Sequence, residues 1–250
     1  MPPFSSSQIL RAGLARAQAV CNGGIWPTGK NGLCPTGVHP LAFILPIDAV
    51  WGMNSPYALA ELRILATSDV HMHLTNWDAL HQRRVGGRGF DVLAGTLRRA
   101  RDAAEGACVI LDNGDSLQGT PVGTHCASRR GDEHHPWPAI LNMMGYDAVG
   151  LGNHDFDFGV PFLERIVAQT SAPTLCASFS SGSVSGVRPF ALLTRNLTCS
   201  DGQTRAIKIG VTSVLPPQTA IWNHRYLTGL LAFDDGIVAA RRAVPAVPAA

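Results

Sequence analysis

Three short polar runs carry the residue types that bind metals and transfer protons. They are Asp69-Val-His71, Asp112-Asn-Gly-Asp115 and Gly152-Asn-His-Asp-Phe-Asp157. Together they offer carboxylates, imidazoles and an amide oxygen, a mixture that suits hard to borderline divalent metals such as Mn²⁺, Zn²⁺ or Fe²⁺. One carboxylate shared by two such metals, about 3.5–4 Å apart, is the usual start of a site for in-line attack on phosphorus.

Each polar run follows a short apolar segment of the kind that forms a buried strand. Strands are predicted at 62–67, 108–111, 147–151 and 173–176. Helices are predicted between them, near 90–100, 138–144 and 161–169. This β-α-β-α-β-α-β order predicts an α/β fold with a largely parallel sheet. In such a sheet the three polar runs emerge at the carboxyl edge, where ligand sites collect.

Taken singly, each run has an ordinary structural explanation. Asp69 could begin a turn or cap a helix, Gly114-Asp115 is a common turn, and Asn153-His154 could be a loop pair. The three runs in this order, each directly after an apolar strand, favour a common site over three separate turns.

The order and the amino-acid sequences of the three runs resemble those of a known family. The calcineurin-like metallophosphoesterases carry D-x-H, G-D and G-N-H-[DE] in this order. The sequences of the longer segments 65–71, 112–121 and 151–159 resemble the 5′-nucleotidase branch of that family. The stretch 208–218 is most similar to the 2′,3′-cyclic-nucleotide 2′-phosphodiesterase/3′-nucleotidase members. The resemblance covers about residues 62–240. It implies a metallophosphoesterase-type β-sandwich flanked by helices, truncated here to the first half of the catalytic domain.

The resemblance implies two divalent ions of the Mn, Zn, Fe or Co class. Carried over by position, Asp69 and His71 bind the first metal, Asp115 bridges both, and Asn153 binds the second. The implied reaction is attack of a metal-activated water on phosphorus, without a covalent enzyme intermediate.

Two further residues of the third run are implied to be catalytic. His154 would lie beside the phosphate, where it stabilises charge or protonates the leaving oxygen. Asp157, three residues later, would orient that imidazole, because a carboxylate can hold the ring in one tautomer.

The sequence also departs from the family pattern. The family completes its site with a later histidine and a G-H-x-H motif, whereas His224 is the only histidine after His154 and lies in no such motif. We therefore expect at most one weakly bound metal in this chain, and hydrolysis near background.

Three functions remain open at this stage. The first is a metal-dependent hydrolase of 2′,3′-cyclic nucleotides and 3′-nucleotides, favoured by the stretch 215–218. The second is a 5′-nucleotidase or nucleotide-sugar hydrolase. The third, from another class, is a non-catalytic truncated remnant with an incomplete metal site.

Composition narrows the partners and the organisation. The 250 residues carry a net charge of +2, which gives no general attraction to nucleic-acid polymers. No apolar run reaches the roughly 20 residues of a membrane span. We expect an irregular N-terminal segment at 1–60, a partial catalytic domain at 61–240 and a tail of simple composition at 241–250. The expected partner is a nucleotide or other phosphoester substrate.

One element bears on localisation. Lys30, the apolar run 41–45 and Ala58-Leu-Ala60 follow the order of an export signal, although they lie far from the N-terminus. The protein would be periplasmic or exported if this element acts as a signal, and cytoplasmic otherwise.

Overall fold

The computed structural model describes residues 18–21, 24–27, 42–46, 58–78, 80–129 and 134–246. Its central part alternates strands with helices. The strands are β4 (Leu62–Thr67), β7 (Ala107–Asp112), β8 (Ala148–Gly150) and β9 (Thr174–Leu175). The helices between them are α1 (Phe90–Asp102), α2 (Pro121–Ser128), α3 (Pro136–Met144) and α4 (Val160–Gln169). The predicted order is confirmed, with α2 as an additional helix.

These four strands are adjacent and parallel in one sheet. β4 pairs with β7, β7 with β8 and β8 with β9, each in parallel register. The short strand β11 (Val187–Arg188) extends the sheet in parallel beyond β9. The prediction of a largely parallel sheet is therefore confirmed for the part that carries the polar runs.

Three strands of the N-terminal segment extend the sheet on the other side. They are β1 (Gln18–Cys21), β2 (Gly24–Pro27) and β3 (Ala42–Pro46), and β3 pairs antiparallel with β4. The apolar run that resembles an export signal thus lies largely in β3. The rest of 1–57 is outside the described residues, and the division into domains stays a prediction.

Two-stranded ribbons lie beside the main sheet. β5 (Trp77–Asp78) pairs with β6 (Arg83–Arg84), β10 (Phe179–Ser181) with β14 (Ala232–Phe233), and β12 (Phe190–Thr198) with β13 (Thr204–Thr212). Three further helices are α5 (Thr219–Trp222), α6 (His224–Leu227) and α7 (Gly236–Ala246). In the part of the chain that the structure describes, no helix is both long enough and apolar enough to cross a bilayer.

The helices pack apolar faces onto the sheet. In α1, Phe90, Leu93 and Leu97 recur at helical spacing and are buried. Helix α3 begins at Pro136 after an N-cap at His135, whose Nδ1 accepts the Trp137 N–H, and it ends at Gly145 in the left-handed conformation. This packing fixes the parallel strands whose carboxyl ends carry the polar runs.

Candidate metal centre

The first two polar runs converge at the carboxyl edge of the sheet. Asp69 and His71 follow β4, and Asp115 follows β7, the parallel neighbour of β4. One ligand atom from each of the three residues lies within 4.8 Å of the other two. The three residues are therefore close enough together to form a candidate site for one metal ion.

Backbone hydrogen bonds join the two loops beyond the strands. The N–H groups of Asp69 and His71 donate to the carbonyls of Gly114 and Asp115, each at 3.0 Å. To do so, Asp69, His71 and Asp115 all adopt the left-handed region, with φ of 56°, 48° and 55°. Such residues outside glycine are uncommon and cluster at functional sites.

His71 has its tautomer set by the protein. Its Nδ1 lies 2.6 Å from the Gln118 carbonyl, which can only accept, so Nδ1 carries the proton and Nε2 keeps a lone pair for a metal. Nε2 is 3.8 Å from Asp69 Oδ1. The two groups shift each other: the pKa of Asp69 is lowered by the His71 imidazole, and the pKa of His71 is raised by the Asp69 carboxylate.

Glycine is required on the inner side of His71. A Cβ on Gly119, where φ is 138°, would lie 2.6 Å from His71 Cβ. Because real Cβ atoms do not approach so closely, any side chain at this position would displace the imidazole.

Asp115 is held from the third polar run. Its Oδ1 accepts the His154 N–H at 2.7 Å, and burial raises the pKa of its carboxyl group. A Cβ on Gly152 would lie 2.1 Å from the same oxygen. The glycine therefore lets the loop after β8 approach the carboxylate closely.

Asp155 joins the second and third runs, a role that the sequence did not reveal. The side chain is 3% exposed. Its Oδ1 accepts the N–H groups of Ser116 (2.9 Å) and Leu117 (3.1 Å), and its Oδ2 accepts those of Asp115 and Gly152 (both 2.9 Å). Burial raises its pKa to about 6.

A second buried carboxylate supports the loop from below. Asp112 Oδ1 accepts from Thr67 Oγ1 at 2.6 Å, and Asp112 Oδ2 accepts from Ser116 Oγ at 3.2 Å. The Tyr146 hydroxyl lies 2.9 Å from the same Thr67 oxygen. Burial raises the pKa of Asp112 to about 7. Its hydrogen-bond partners are hydroxyl and backbone groups near the strand ends, which indicates that Asp112 stabilises the loop and is not a metal ligand.

The third run forms a 3₁₀ turn, Asn153–Phe156, directly after β8. His154 Nδ1 lies 2.8 Å from Asp157 Oδ2, and the His154 ring centroid is 5.3 Å from that of His71. The imidazole is thus beside the convergent ligands and oriented by a carboxylate. Asn153 opens the turn, and its carbonyl accepts a hydrogen bond from Asn223 Nδ2 at 2.9 Å. Its role as a metal ligand stays a prediction.

His224 lies elsewhere in these contacts. It is exposed, it begins α6, and its Nδ1 is 3.2 Å from the Ile221 carbonyl. A ligand role for His224 has no support in this geometry.

Comparison with known proteins shows which proteins the chain is similar to. No family model matches it. It is 31% identical over 189 residues to the 2′,3′-cyclic-nucleotide 2′-phosphodiesterase/3′-nucleotidase of Haemophilus influenzae, covering 74% of this chain and 29% of that protein. The crystal structure of the calcineurin-like phosphoesterase YfkN from Bacillus subtilis superposes with a TM-score of 0.69 at 26% identity, covering 76% of this chain and 58% of that chain.

The chain belongs to the calcineurin-like phosphoesterases. Within them it is related to the 5′-nucleotidase branch, since the 5′-nucleotidase of Bos taurus is 34% identical over 174 residues, 62% of this chain and 27% of that protein. The chain spans less than a third of the length of these curated relatives.

Proposed function

We propose that this calcineurin-like phosphoesterase chain acts in the hydrolysis of 2′,3′-cyclic nucleotides and 3′-nucleotides. The observation that carries the proposal is the convergence of Asp69, His71 and Asp115 at one sheet edge, with the paired His154 and Asp157 beside them. The name of the Haemophilus influenzae relative supports this substrate class.

The donor set fits a divalent cation. Two carboxylates and one imidazole with a free Nε2 are ligands for the Mn, Zn, Fe or Co class, and the raised pKa of the partly buried Asp115 is what a nearby cation would reverse. Asp69, His71 and Asp115 would hold the first ion, and Asp115 with Asn153 the second. A bound ion supplies Lewis-acid activation of water and neutralises phosphate charge.

His154 handles the proton and the phosphate charge. Its Nδ1 is engaged with Asp157, which leaves Nε2 to stabilise the phosphate or to protonate the leaving oxygen. Asp157 holds the orientation of the ring. Asp115, which accepts the His154 N–H, couples the position of this imidazole to the ligand set.

A 5′-nucleotidase or nucleotide-sugar hydrolase is the second candidate. It is favoured by the resemblance to the Bos taurus protein. The stretch Leu215-Pro-Pro-Gln218 favours the cyclic-nucleotide type, and competition between 3′-AMP and 5′-AMP for the metal-loaded chain would discriminate them. The third possibility is a chain that binds metal but does not turn over.

Metal titration of the purified chain, monitored by calorimetry with Mn²⁺ and Zn²⁺, tests the centre. We expect at most one weakly bound ion per chain. The second ion would have one amide oxygen and a shared carboxylate, too few ligands to offset its dehydration and its repulsion from the first ion. Asp115→Ala should abolish binding. A chain that binds no divalent ion, or an Asp115→Ala variant that binds as the wild type does, would overturn the proposal.

Phosphate release from 2′,3′-cyclic AMP with excess Mn²⁺ tests the reaction. The expected rate for this chain is near background, because among the residues that the structure describes we assign only Asp115 and Asn153 to a second ion. Two tightly held ions with turnover above about 1 s⁻¹ would show that further ligands complete the site, with His224 or a second chain as the first suspects.

A further inference from the structure

The junction between α5 and α6 contacts the turn that carries His154. Asn223 lies at this junction and is 4% exposed, and its Nδ2 donates to the Asn153 carbonyl at 2.9 Å. The two residues are 70 positions apart along the chain. This hydrogen bond therefore ties the segment 219–227 to the first residue of the 3₁₀ turn.

The same segment also contacts the far end of the turn. A Cβ on Gly159 would lie 3.4 Å from Tyr226 Cδ1, so the Tyr226 ring covers the point where the turn leads into α4. Below the turn, Phe156 is fully buried and packs edge-to-face on Phe233, with 5.8 Å between ring centroids. Asn223 thus adds a polar contact beside the apolar contacts of Tyr226 and Phe156.

The Asn223 backbone is itself fixed. Its N–H donates to the Thr219 carbonyl at 3.0 Å, and its carbonyl accepts the N–H groups of Tyr226 (2.9 Å) and Leu227 (3.0 Å). Its side chain does not cap α6, although it stands at the N-cap position of that helix. The side-chain amide is therefore committed to Asn153.

His154 is held by two contacts of its own, its N–H on Asp115 Oδ1 and its Nδ1 on Asp157 Oδ2. Asp157 is the C-cap of the same turn, so that contact moves with the turn and cannot fix its position. The turn is bonded to the Asp115 loop through the His154 N–H and the Asp155 carboxylate, and Asn223 adds an anchor at its first residue from a third segment of the chain.

We propose that Asn223 is a positioning residue, which fixes the turn carrying Asn153 and His154 relative to the Asp69, His71 and Asp115 ligand set. The proposal rests on the proposed function for its catalytic consequence. Its structural part stands without turnover, because it concerns the order of the turn in the chain itself.

Hydrogen exchange measured by mass spectrometry on the full-length chain tests the structural part. Two variants are compared with wild type: Asn223→Ala removes the side chain, and Asn223→Asp keeps its shape but replaces the donor by a buried carboxylate that faces the Asn153 carbonyl. Both should raise exchange in peptides covering 151–159 by about tenfold, the effect of losing one buried hydrogen bond of about 1.4 kcal/mol. Peptides from the β12–β13 ribbon should exchange as in the wild type.

Thr219→Val is the matched control. Thr219 lies in the same segment, is fully buried, and its Oγ1 has no hydrogen-bond partner, so the isosteric change should leave exchange in 151–159 unaltered. If peptides covering 151–159 exchange equally fast in Asn223→Asp and in the wild type, the hydrogen-bond donor of Asn223 does not order the turn and the proposal is wrong. If exchange rises equally in the β12–β13 ribbon, Asn223 has a general structural role and the proposal is also wrong.

A phosphate-release assay tests the catalytic part of the proposal. If the metal-loaded chain turns over, Asn223→Asp should lower kcat at least tenfold, with KM and metal content unchanged, because misplacement of a catalytic group by about 1 Å is costly. Loss of metal at an unchanged rate per bound ion would contradict positioning of His154. If the wild type does not turn over, the exchange result alone decides, and only the proposed function is affected.

Discussion

The four hydrogen bonds that the Asp155 carboxylate accepts should hold the two ligand loops together, and Asp155→Asn tests them. The carboxylate accepts four backbone N–H groups, two on each oxygen, and is 3% exposed. Asparagine keeps the shape but presents an oxygen on one side only. On the other side its NH₂ group would face two N–H donors, which leaves both of them buried without an acceptor.

The magnitude follows from the number of bonds lost. A hydrogen bond to a charged group contributes roughly 1.5–3 kcal/mol, and asparagine loses two of the four. We expect the free energy of unfolding to fall by up to about 4 kcal/mol at pH 8. Burial, which raises the pKa of this carboxyl group to about 6, disfavours its ionised form in the fold and offsets part of the loss. For a domain of this size the full loss corresponds to a Tm lower by about 8–16 °C.

Urea unfolding followed by circular dichroism measures this directly. The matched control is Asp201→Asn, the same chemical change at an exposed aspartate paired with Arg205, which should leave the unfolding midpoint nearly unchanged. Metal titration of Asp155→Asn should also show weaker binding, because Asp115 is displaced. A loss below about 1 kcal/mol, the size of a neutral hydrogen bond, would refute the claim that the ionised carboxylate holds the loops.

Three further predictions concern single residues. In an active, metal-complete form, His154→Ala should leave metal content nearly intact and lower turnover by about 10²–10⁴, and loss of metal at an unchanged rate per ion would contradict the assigned role. Gly152→Ala should weaken metal binding at least tenfold, since its Cβ would lie 2.1 Å from Asp115 Oδ1, whereas Gly86→Ala, with open space around the added Cβ, should bind as the wild type does. Burial lowers the pKa of His135 from 6.5 to about 4, so this histidine stays neutral in the folded chain. The unfolded chain takes up the proton first as the pH falls below 6.5, and the free energy of unfolding therefore decreases. Relative to His135→Asn, urea unfolding should show the wild type losing up to about 3 kcal/mol between pH 7 and 4, and parallel pH profiles would exclude this titration.

The order of the parallel strands could be predicted because its signals are local. Short apolar runs that each end in a polar run mark buried strands with functional ends, and parallel pairing then brings those ends to one edge. Asp69, His71 and Asp115 meet for this reason. The helices α1, α3 and α4 were predictable from apolar spacing and from a terminating glycine or an initial proline.

Other features depend on contacts between distant positions. Asp155 belongs to the third run, but three of its four partners are N–H groups of a loop about 40 positions earlier. The directions of these groups depend on left-handed residues that no sequence pattern marks. Asn223 and Asn153 are 70 positions apart. The strands of the N-terminal segment pair across a region rich in glycine and proline, where period alone gives no strand signal. His134 and His135 suggest a solvated pair at a helix start, whereas His135 is 5% exposed, because its Nδ1 caps α3 and its ring packs on Phe162.

The three candidate metal ligands have a strained backbone conformation, and the buried Asp155 stabilises the loops that carry them. Asp69, His71 and Asp115 each adopt a left-handed conformation, which costs an L-residue roughly 1–2 kcal/mol. Together this is of order 3–6 kcal/mol, similar to the stabilisation of up to about 4 kcal/mol that we assign to the two hydrogen bonds lost in Asp155→Asn. Asp155 binds the N–H of Asp115 itself, so the stabilisation acts at one of the strained residues. The hydrogen bonds of Asp155 therefore stabilise the strained conformation of these loops, and their loss should release the strain and the geometry of the candidate ligands together.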